Sequence, residues 1–321
     1  MKLDKKIHTL VSTANMSRKD WLKLRRHTIG GSDAAGIVGL SRWSSPYSVW
    51  ADKTGRLPEK EDTEAMRLGR DLEDYVAKRW MEETGKKCRR LNALIYTKQY
   101  PFAHADIDRE VIGENAGLEC KTTSDLDVRK YFGCEFPEKY YAQCVHYMAV
   151  TGADRWYLAV LVFGRGFFCY CLERTPGIQA EIDNLMLAER DFWPCVESDT
   201  PPLADDAQAT TDALAAIYGG GADGIADLTG MSNLLAMREM TKQRIDNLKK
   251  ELNGMDNKLK AMLGDCEVGE AIGWRVTWKP QERRTFRTDL LLQDYPEIQL
   301  DDYFATTTSR VLRYAKTDKG A

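Results

Sequence analysis

Glu119-Cys120-Lys121 sets a carboxylate and an amine two residues apart, and on a strand residues two apart share a face. Cys120 then points the other way. Upstream, Phe102-Ala103-His104-Ala105-Asp106 reads as a neighbouring strand, and the 12-residue interval containing Gly113 and Gly117 lets the two pair as a hairpin that brings Asp106 beside Glu119. Two carboxylates and the Cys120 backbone carbonyl make an oxygen-rich pocket suited to Mg²⁺ or Mn²⁺. Phosphodiester hydrolysis needs such a pocket, because negative charge grows on the phosphoryl and leaving oxygens and a metal stabilises it while acidifying a water. Lys121 can orient that water or stabilise the pentacovalent phosphate. Glu73, on an upstream helix, is available as a further ligand, and Gln143, on a downstream one, can fix Lys121 or the water. A lone E-x-K is explained as well by an exposed cross-strand ion pair. What separates the two readings is the ordered company these residues keep.

The elements that would position them are legible as local pattern. Residues 64–84 put Ala65, Leu68, Leu72, Val76 and Trp80 on one helical face, and Gly85 ends the helix. Strands are expected over Ala93–Thr97, Phe102–Asp108 and Gly117–Thr122, then a helix from about Pro137 to Val150. Two apolar strands, Trp156–Phe163 and Phe167–Leu172, and a helix over about 177–196 complete an α/β order. Ser32, after Gly30-Gly31, reads as the N-cap of another helix, whose free N–H groups suit an anion. A domain is therefore expected over 1–200 and an accessory region over 201–321. The latter begins with a linker-like stretch marked by Pro201-Pro202 and Gly219-Gly220-Gly221. Thr241, Ile245, Leu248, Leu252, Met255, Leu259 and Met262 follow at spacings of four and three, a heptad seam for a helix over 231–263 in a helical hairpin or coiled coil. A small β-containing, basic tail closes the chain.

The net charge of −3 alone does not suggest a nucleic-acid partner, but its distribution permits one. Residues 1–90 hold 20 Lys and Arg against 13 Asp and Glu, whereas 175–230 hold one against 11. No stretch approaches the roughly 20 apolar residues of a membrane span. The N-terminal segment does not read as a signal peptide, so the expectation is a cytoplasmic protein with no membrane partner. The eight cysteines include no C-x-x-C pair and read as small core residues, which argues against an iron–sulfur cluster. His104 reads first as structural, and Trp43, Tyr47 and Trp50 as core rather than as base-stacking platforms.

In order across about 25–175, the blocks IGGSDAAGIVGLSRW, LGRDLEDYVAKRW, FAHADIDR, LECKTT, YYAQCVHYMAV and WYLAVLV resemble those of the YqaJ viral recombinase domain, which is similar to lambda exonuclease. The resemblance implies a PD-(D/E)XK nuclease with a restriction-endonuclease-like αβββαβ core, a mixed sheet flanked by helices. It implies Asp106, Glu119 and the Cys120 carbonyl as metal ligands, Lys121 as catalytic lysine, Glu73 as helix carboxylate and Gln143 as supporting amide. It further implies two Mg²⁺ or Mn²⁺ ions per site and 5′→3′ digestion of linear duplex DNA, leaving 3′ overhangs for a phage single-strand annealing protein. A ring-like homotrimer, encoded by a phage or prophage and working in a bacterial host, belongs to the same implication. Arg25 and Ser32 match the family's phosphate-recognising arginine and serine. Asp127 stands where lambda exonuclease has a further phosphate-binding arginine, with Arg129 or Lys130 as substitutes. Two alternatives share the fold: an endonuclease on duplex or branched DNA, and a non-catalytic DNA-binding or assembly module.

Overall fold

The computed structural model describes residues 1–59, 62–124 and 136–314, leaving out the side chain of Lys139. Asp127, Arg129, Lys130 and Cys134 lie outside the described residues. The chain divides into two units, Met1–Gly220 with the stretch from Ser309 on, and Gly221–Thr308.

The first unit opens with β1 (His8–Ser12), α1 (Arg18–Arg26), β2 (Ile29–Gly30), α2 (Gly31–Ile37) and α3 (Pro46–Lys53). The long α4 (Glu64–Thr84) follows, started by the Thr63 side chain accepting from Met66 N and ended by Gly85 in the left-handed region at φ 69°. Five strands come next: β3 (Cys88–Arg89), β4 (Ala93–Thr97), β5 (Ala103–Asp106), β6 (Arg109–Val111) and β7 (Ala116–Thr123). After α5 (Glu138–Thr151), the hairpin β8 (Arg155–Val162) and β9 (Gly166–Glu173) leads into α6 (Pro176–Glu197) and α7 (Gln208–Tyr218).

The strands form two sheets, ordered β1-β4-β5-β2 and β3-β6-β7-β8-β9. Among the described strands only β7–β8 and β2–β5 pair in parallel. Parallel pairing of β7 with β8 requires a crossover, and α5 lies in that connection. Alternation along β7 divides its neighbours. Leu118 packs with Val76, Ala77 and Trp80 of α4, and Cys120 flanks that cluster. Glu119 points the other way, to Gln143 of α5. Only the C-terminal half of α4 is buried. Leu68, expected on the buried face, is exposed, so the apolar stripe is longer than the surface it covers.

The strand expected over 102–108 ends at Asp106, and the next strand begins only at Arg109, in the other sheet. β5 pairs with β4 and β2, the chain bends at Asp108, and β6 pairs with β7. Asp106 therefore faces Leu94 across the first sheet, not Glu119 across a hairpin. The linker expected after residue 200 contains α7, whose small residues Ala209, Thr210 and Ala213 are buried. Ala213 packs in the cluster holding Tyr47 and Trp50, and Thr210 Oγ1 donates to Ser45 Oγ at 2.7 Å. Trp43, by contrast, is exposed with Arg42 stacked on it. The cysteines are less buried than expected: Cys144 is buried, while Cys169, Cys171 and Cys266 are exposed. Cys169 and Cys171 lie on β9, an edge strand, which explains the difference.

The second unit carries α8 (Ser232–Leu263), the antiparallel hairpin β10 (Val268–Ala271) and β11 (Trp274–Thr277), and α9 (Thr288–Asp294). The heptad segment is one continuous helix of 32 residues, not a helical hairpin. No helix is long and apolar enough to cross a membrane among the described residues.

Candidate active site

The bend between β5 and β6 builds the site. Arg109 pairs with Leu118 and Glu110 with Gly117, so the same antiparallel register carries Asp108 to a place opposite Glu119. The Asp108 carboxylate accepts from the Cys120 backbone N–H at 2.7 Å, which fastens the bend to β7. The aspartate opposite Glu119 is thus Asp108 and not Asp106, the residue expected there. Both lie on the same side of an extended A-D-I-D run, so alternation does not distinguish them. The signal that does is the register counted back from Glu119 through the turn.

Glu119 and Lys121 share a face of β7 as expected, with Lys121 Nζ 2.5 Å from Glu119 Oε1. Gln143 Nε2 donates to that same oxygen at 2.7 Å and to the Tyr147 hydroxyl at 3.0 Å, so the amide positions Glu119 rather than Lys121. Glu119 is 1% exposed, and its second oxygen, Oε2, is buried with no hydrogen-bond partner. Glu73 reaches the centre from α4 and is gripped by Arg109 Nη1, while Arg109 Nη2 holds Asp74 at 2.5 Å. Asp106 Oδ2 accepts from Trp21 Nε1 at 3.0 Å.

Electrostatically this is a pocket with more negative charge than it neutralises. Burial raises the Asp108 carboxyl well above its ordinary range, and Glu119 pushes it further. Burial also raises Glu119, against the pull of Lys121 and with added repulsion from Glu73 and Asp106. Asp106 is raised by burial, only partly offset by Arg25 and Trp21. Lys121 loses hydration by burial, yet Glu119 and Asp108 outweigh that loss and hold it protonated. The Cys120 thiol is pushed well up by burial and stays a neutral wall.

Among the described residues, no three such side chains stand in metal-holding geometry. Each carboxylate is turned to a protein donor: Lys121 and Gln143, Cys120 N, Trp21, or Arg109. The donor set still fits a hard divalent cation. It is all oxygen, the Asp106, Asp108 and Glu119 carboxyls are raised chiefly by burial, and Glu119 Oε2 is a buried acceptor without a partner, which is costly unless a ligand satisfies it.

Arg25 and Ser32 come together as expected, with Arg25 Nη2 donating to Ser32 Oγ at 2.7 Å. Ser32 is not the N-cap, however. Gly30 is, and its N–H is taken by the Asp33 carboxylate at 2.9 Å, so the serine lies inside the first turn with its hydroxyl turned to Arg25. The guanidinium stacks on Trp21 at 4.5 Å, and Trp21 in turn holds Asp106, a continuous line from Ser32 to the carboxylates. Gly30 and Gly31 are needed for contact: a Cβ on Gly31 would sit 2.6 Å from the Tyr147 ring, and one on Gly30 2.9 Å from His104. His104 is fully buried, bonded through Nδ1 to Thr28 at 2.9 Å, and held neutral by burial and by Lys53 and Arg25. It is structural.

A family model described as the YqaJ-like viral recombinase domain matches residues 20–154. A Bacillus subtilis (strain 168) protein described as uncharacterized protein YqaJ is 35% identical over 300 residues, covering 92% of this chain and 93% of its own. Among solved structures, LHK-Exo, an alkaline exonuclease from Laribacter hongkongensis, in complex with dAMP, is 20% identical with a TM-score of 0.45, over 57% of this chain and 94% of that one. A phage related exonuclease from Haemophilus somnus 129PT is 13% identical with a TM-score of 0.44, over 56% of this chain and 99% of that one. Identity sustained along nine-tenths of both chains decides the kinship: the chain belongs to the YqaJ-like viral recombinase family.

Proposed function

We propose that this protein is a metal-dependent deoxyribonuclease that digests linear duplex DNA from its 5′ ends and leaves 3′ single-stranded overhangs. The observation that carries the reading is the carboxylate pocket around Glu119, with its buried, partnerless Oε2 and a lysine held protonated beside it.

Glu119 and Asp108, with the Cys120 carbonyl and with Asp106 and Glu73 around them, are the residues that would hold Mg²⁺ or Mn²⁺, two ions in the family-derived reading. The ion, when bound, supplies positive charge to the phosphoryl oxygens and a more acidic water. The protein's own part is positional and electrostatic. Lys121 is held protonated, so it acts as a donor to a phosphoryl oxygen or to the attacking water and not as a base. Gln143 fixes one Glu119 oxygen and leaves the other for a ligand. Arg109 holds Glu73 toward the centre through its bond to that carboxylate. Arg25 and Ser32 are the proposed clamp for the 5′-phosphate, a forked charge-assisted donor and a hydroxyl joined to the pocket through Trp21. The product strand then passes to a single-strand annealing protein, and a ring-like homo-oligomer enclosing the duplex accounts for processive digestion.

Linear duplex labelled at either its 5′ or its 3′ terminus, with covalently closed circular DNA alongside, tests the reading. Mg²⁺-dependent release of 5′ label from linear DNA, with the circle intact and EDTA abolishing release, is expected. Cleavage of the closed circle would transfer the assignment to an endonuclease, and binding without release of either label, in Mg²⁺ or Mn²⁺, to a non-catalytic module. A 5′-phosphate should speed digestion over a 5′-hydroxyl, and Arg25→Ala should shrink that preference.

A further inference from the structure

The α8 helix runs 32 residues and buries none of them. Its heptad face is apolar yet open: exposure ranges from 46% at Ile245 to 87% at Met262, so no described segment of the chain covers it. An apolar stripe of this length left in water is a docking face. The identity of its partner follows from the helix's own sequence.

We propose that α8 pairs with α8 of a second copy of this chain, antiparallel and in full overlap. With Ile245, Leu252 and Leu259 at heptad position a and Leu234, Leu248 and Met255 at position d, an antiparallel pair brings each a layer against a d layer of the other copy. In the register that sets Ile245 against Leu248, Leu259 meets Leu234, Leu252 meets Thr241, and Met255 meets Arg238, the one charged residue at position a. The overlap then runs the whole helix. Apart from the two Arg238–Met255 layers, where the arginine stem can lie along the seam with its head in water, the stripe is its own complement, which a stripe built for an unrelated protein need not be.

Charge chooses the orientation. In this register the flanking Arg244 of one copy faces Glu251 of the other, twice by symmetry, against two Lys242–Lys249 repulsions carried by long side chains that can turn outward. A parallel pair places Arg244 beside Lys249 and Glu251 beside Asp256, each twice, and every one of those contacts is repulsive. Only the antiparallel pairing has attractive flanks. This inference is independent of the catalytic reading.

The test uses the full-length protein and sedimentation equilibrium, with circular dichroism to confirm that each variant keeps its helix content. The wild type should show a reversible self-association that I245K abolishes or reduces by one pairing step. E251R should weaken it roughly tenfold, since it converts two attractions into two repulsions. R244E/E251R should return it to about the wild-type value, because the swapped pair still attracts across the antiparallel contact. In a parallel pair E251R would instead tighten association, by facing Asp256. A monomeric wild type at micromolar protein, an oligomer indifferent to both I245K and E251R, or one tightened by E251R would overturn the proposal.

Discussion

Around Glu119 the first unit gathers four carboxylates and a lysine in a buried pocket, and almost every polar atom there has a partner within the same chain. Along α8 the second unit does the reverse, with apolar side chains outside and none of the helix buried. Both arrangements are unfavourable as they stand, one through crowded negative charge and the other through hydrated apolar surface. Each shortfall indicates what would relieve it: a cation in the first region and a matching helix in the second. The contrast shows that a partner's chemistry is legible where a chain has left a particular interaction unmade.

The largest effects should come from the pocket. Asp108→Asn, Glu119→Gln and Lys121→Ala should each lower kcat by on the order of 10²-fold or more while duplex affinity changes little, because their charges act on the transition state. Asp106→Asn should cost less than Asp108→Asn, since Asp106 faces Trp21 and Leu94 whereas Asp108 is opposite Glu119. Equal losses from both aspartates in steady-state kinetics would put Asp106 at the reacting centre. No pocket variant should alter sedimentation of the helix pair.

Packing in the first unit should be the next most sensitive property. Gly31→Ala puts a Cβ 2.6 Å from Cε1 of the buried Tyr147 ring and 3.1 Å from Gln143 Cγ. Gln143 is tied to both Glu119 and the Tyr147 hydroxyl, so the strain cannot simply spread. A loss of about 3 kcal/mol in urea unfolding is expected, the upper part of the range for overpacking. A stability within experimental error of wild type would mean that α2 and α5 can slide apart.

A buried charge pair nearby gives a pH signature. Asp33 is held at a pKa of about 2: burial would raise it, but Lys53 at 2.6 Å, Arg25 and the Gly30 N–H outweigh that. A depressed carboxyl contributes stability above its unfolded value of about 3.8, and that stability is lost as pH falls toward 2. Asp33→Asn should therefore cost about 2 kcal/mol at pH 7 and progressively less below about pH 4. A penalty unchanged between pH 7 and pH 3 would show that shape and not charge holds the site.

What could be read from the sequence, and what could not, divides along the same physical line. The extent of α4 was legible because its apolar period and Gly85 act locally, and the shared face of Glu119 and Lys121 because strand periodicity does. Asp108 was not, because its place depends on where the chain leaves one sheet for the other. That bend is fixed by a bond to Cys120 N, 12 residues away. Ser32 was misread as a cap because Asp33, two places into the helix from Gly31, reaches back and takes the role. The α7 helix hid in a Pro- and Asp-rich stretch, since its buried face is made of Ala and Thr and carries no strong apolar period.

The smallest expected effect has the opposite sign and isolates the contrast most cleanly. Gly254 lies inside α8 with a φ that needs no glycine, and an added Cβ there would meet nothing within 4 Å. It occupies heptad position c, on the outward side of the stripe, so the substitution also leaves the proposed pairing face untouched. Glycine in a helix interior costs about 0.5–1 kcal/mol relative to alanine through backbone entropy, and nothing around Gly254 opposes recovering it. Gly254→Ala should therefore stabilise α8 by about that amount, seen as a higher melting temperature of its helical signal. The same Gly→Ala change thus weakens the first unit at Gly31 and strengthens the second at Gly254, because only the first position is hemmed in by neighbours. A destabilised Gly254→Ala protein would mean that something packs against the outer side of α8, and the seam would no longer be its sole docking face.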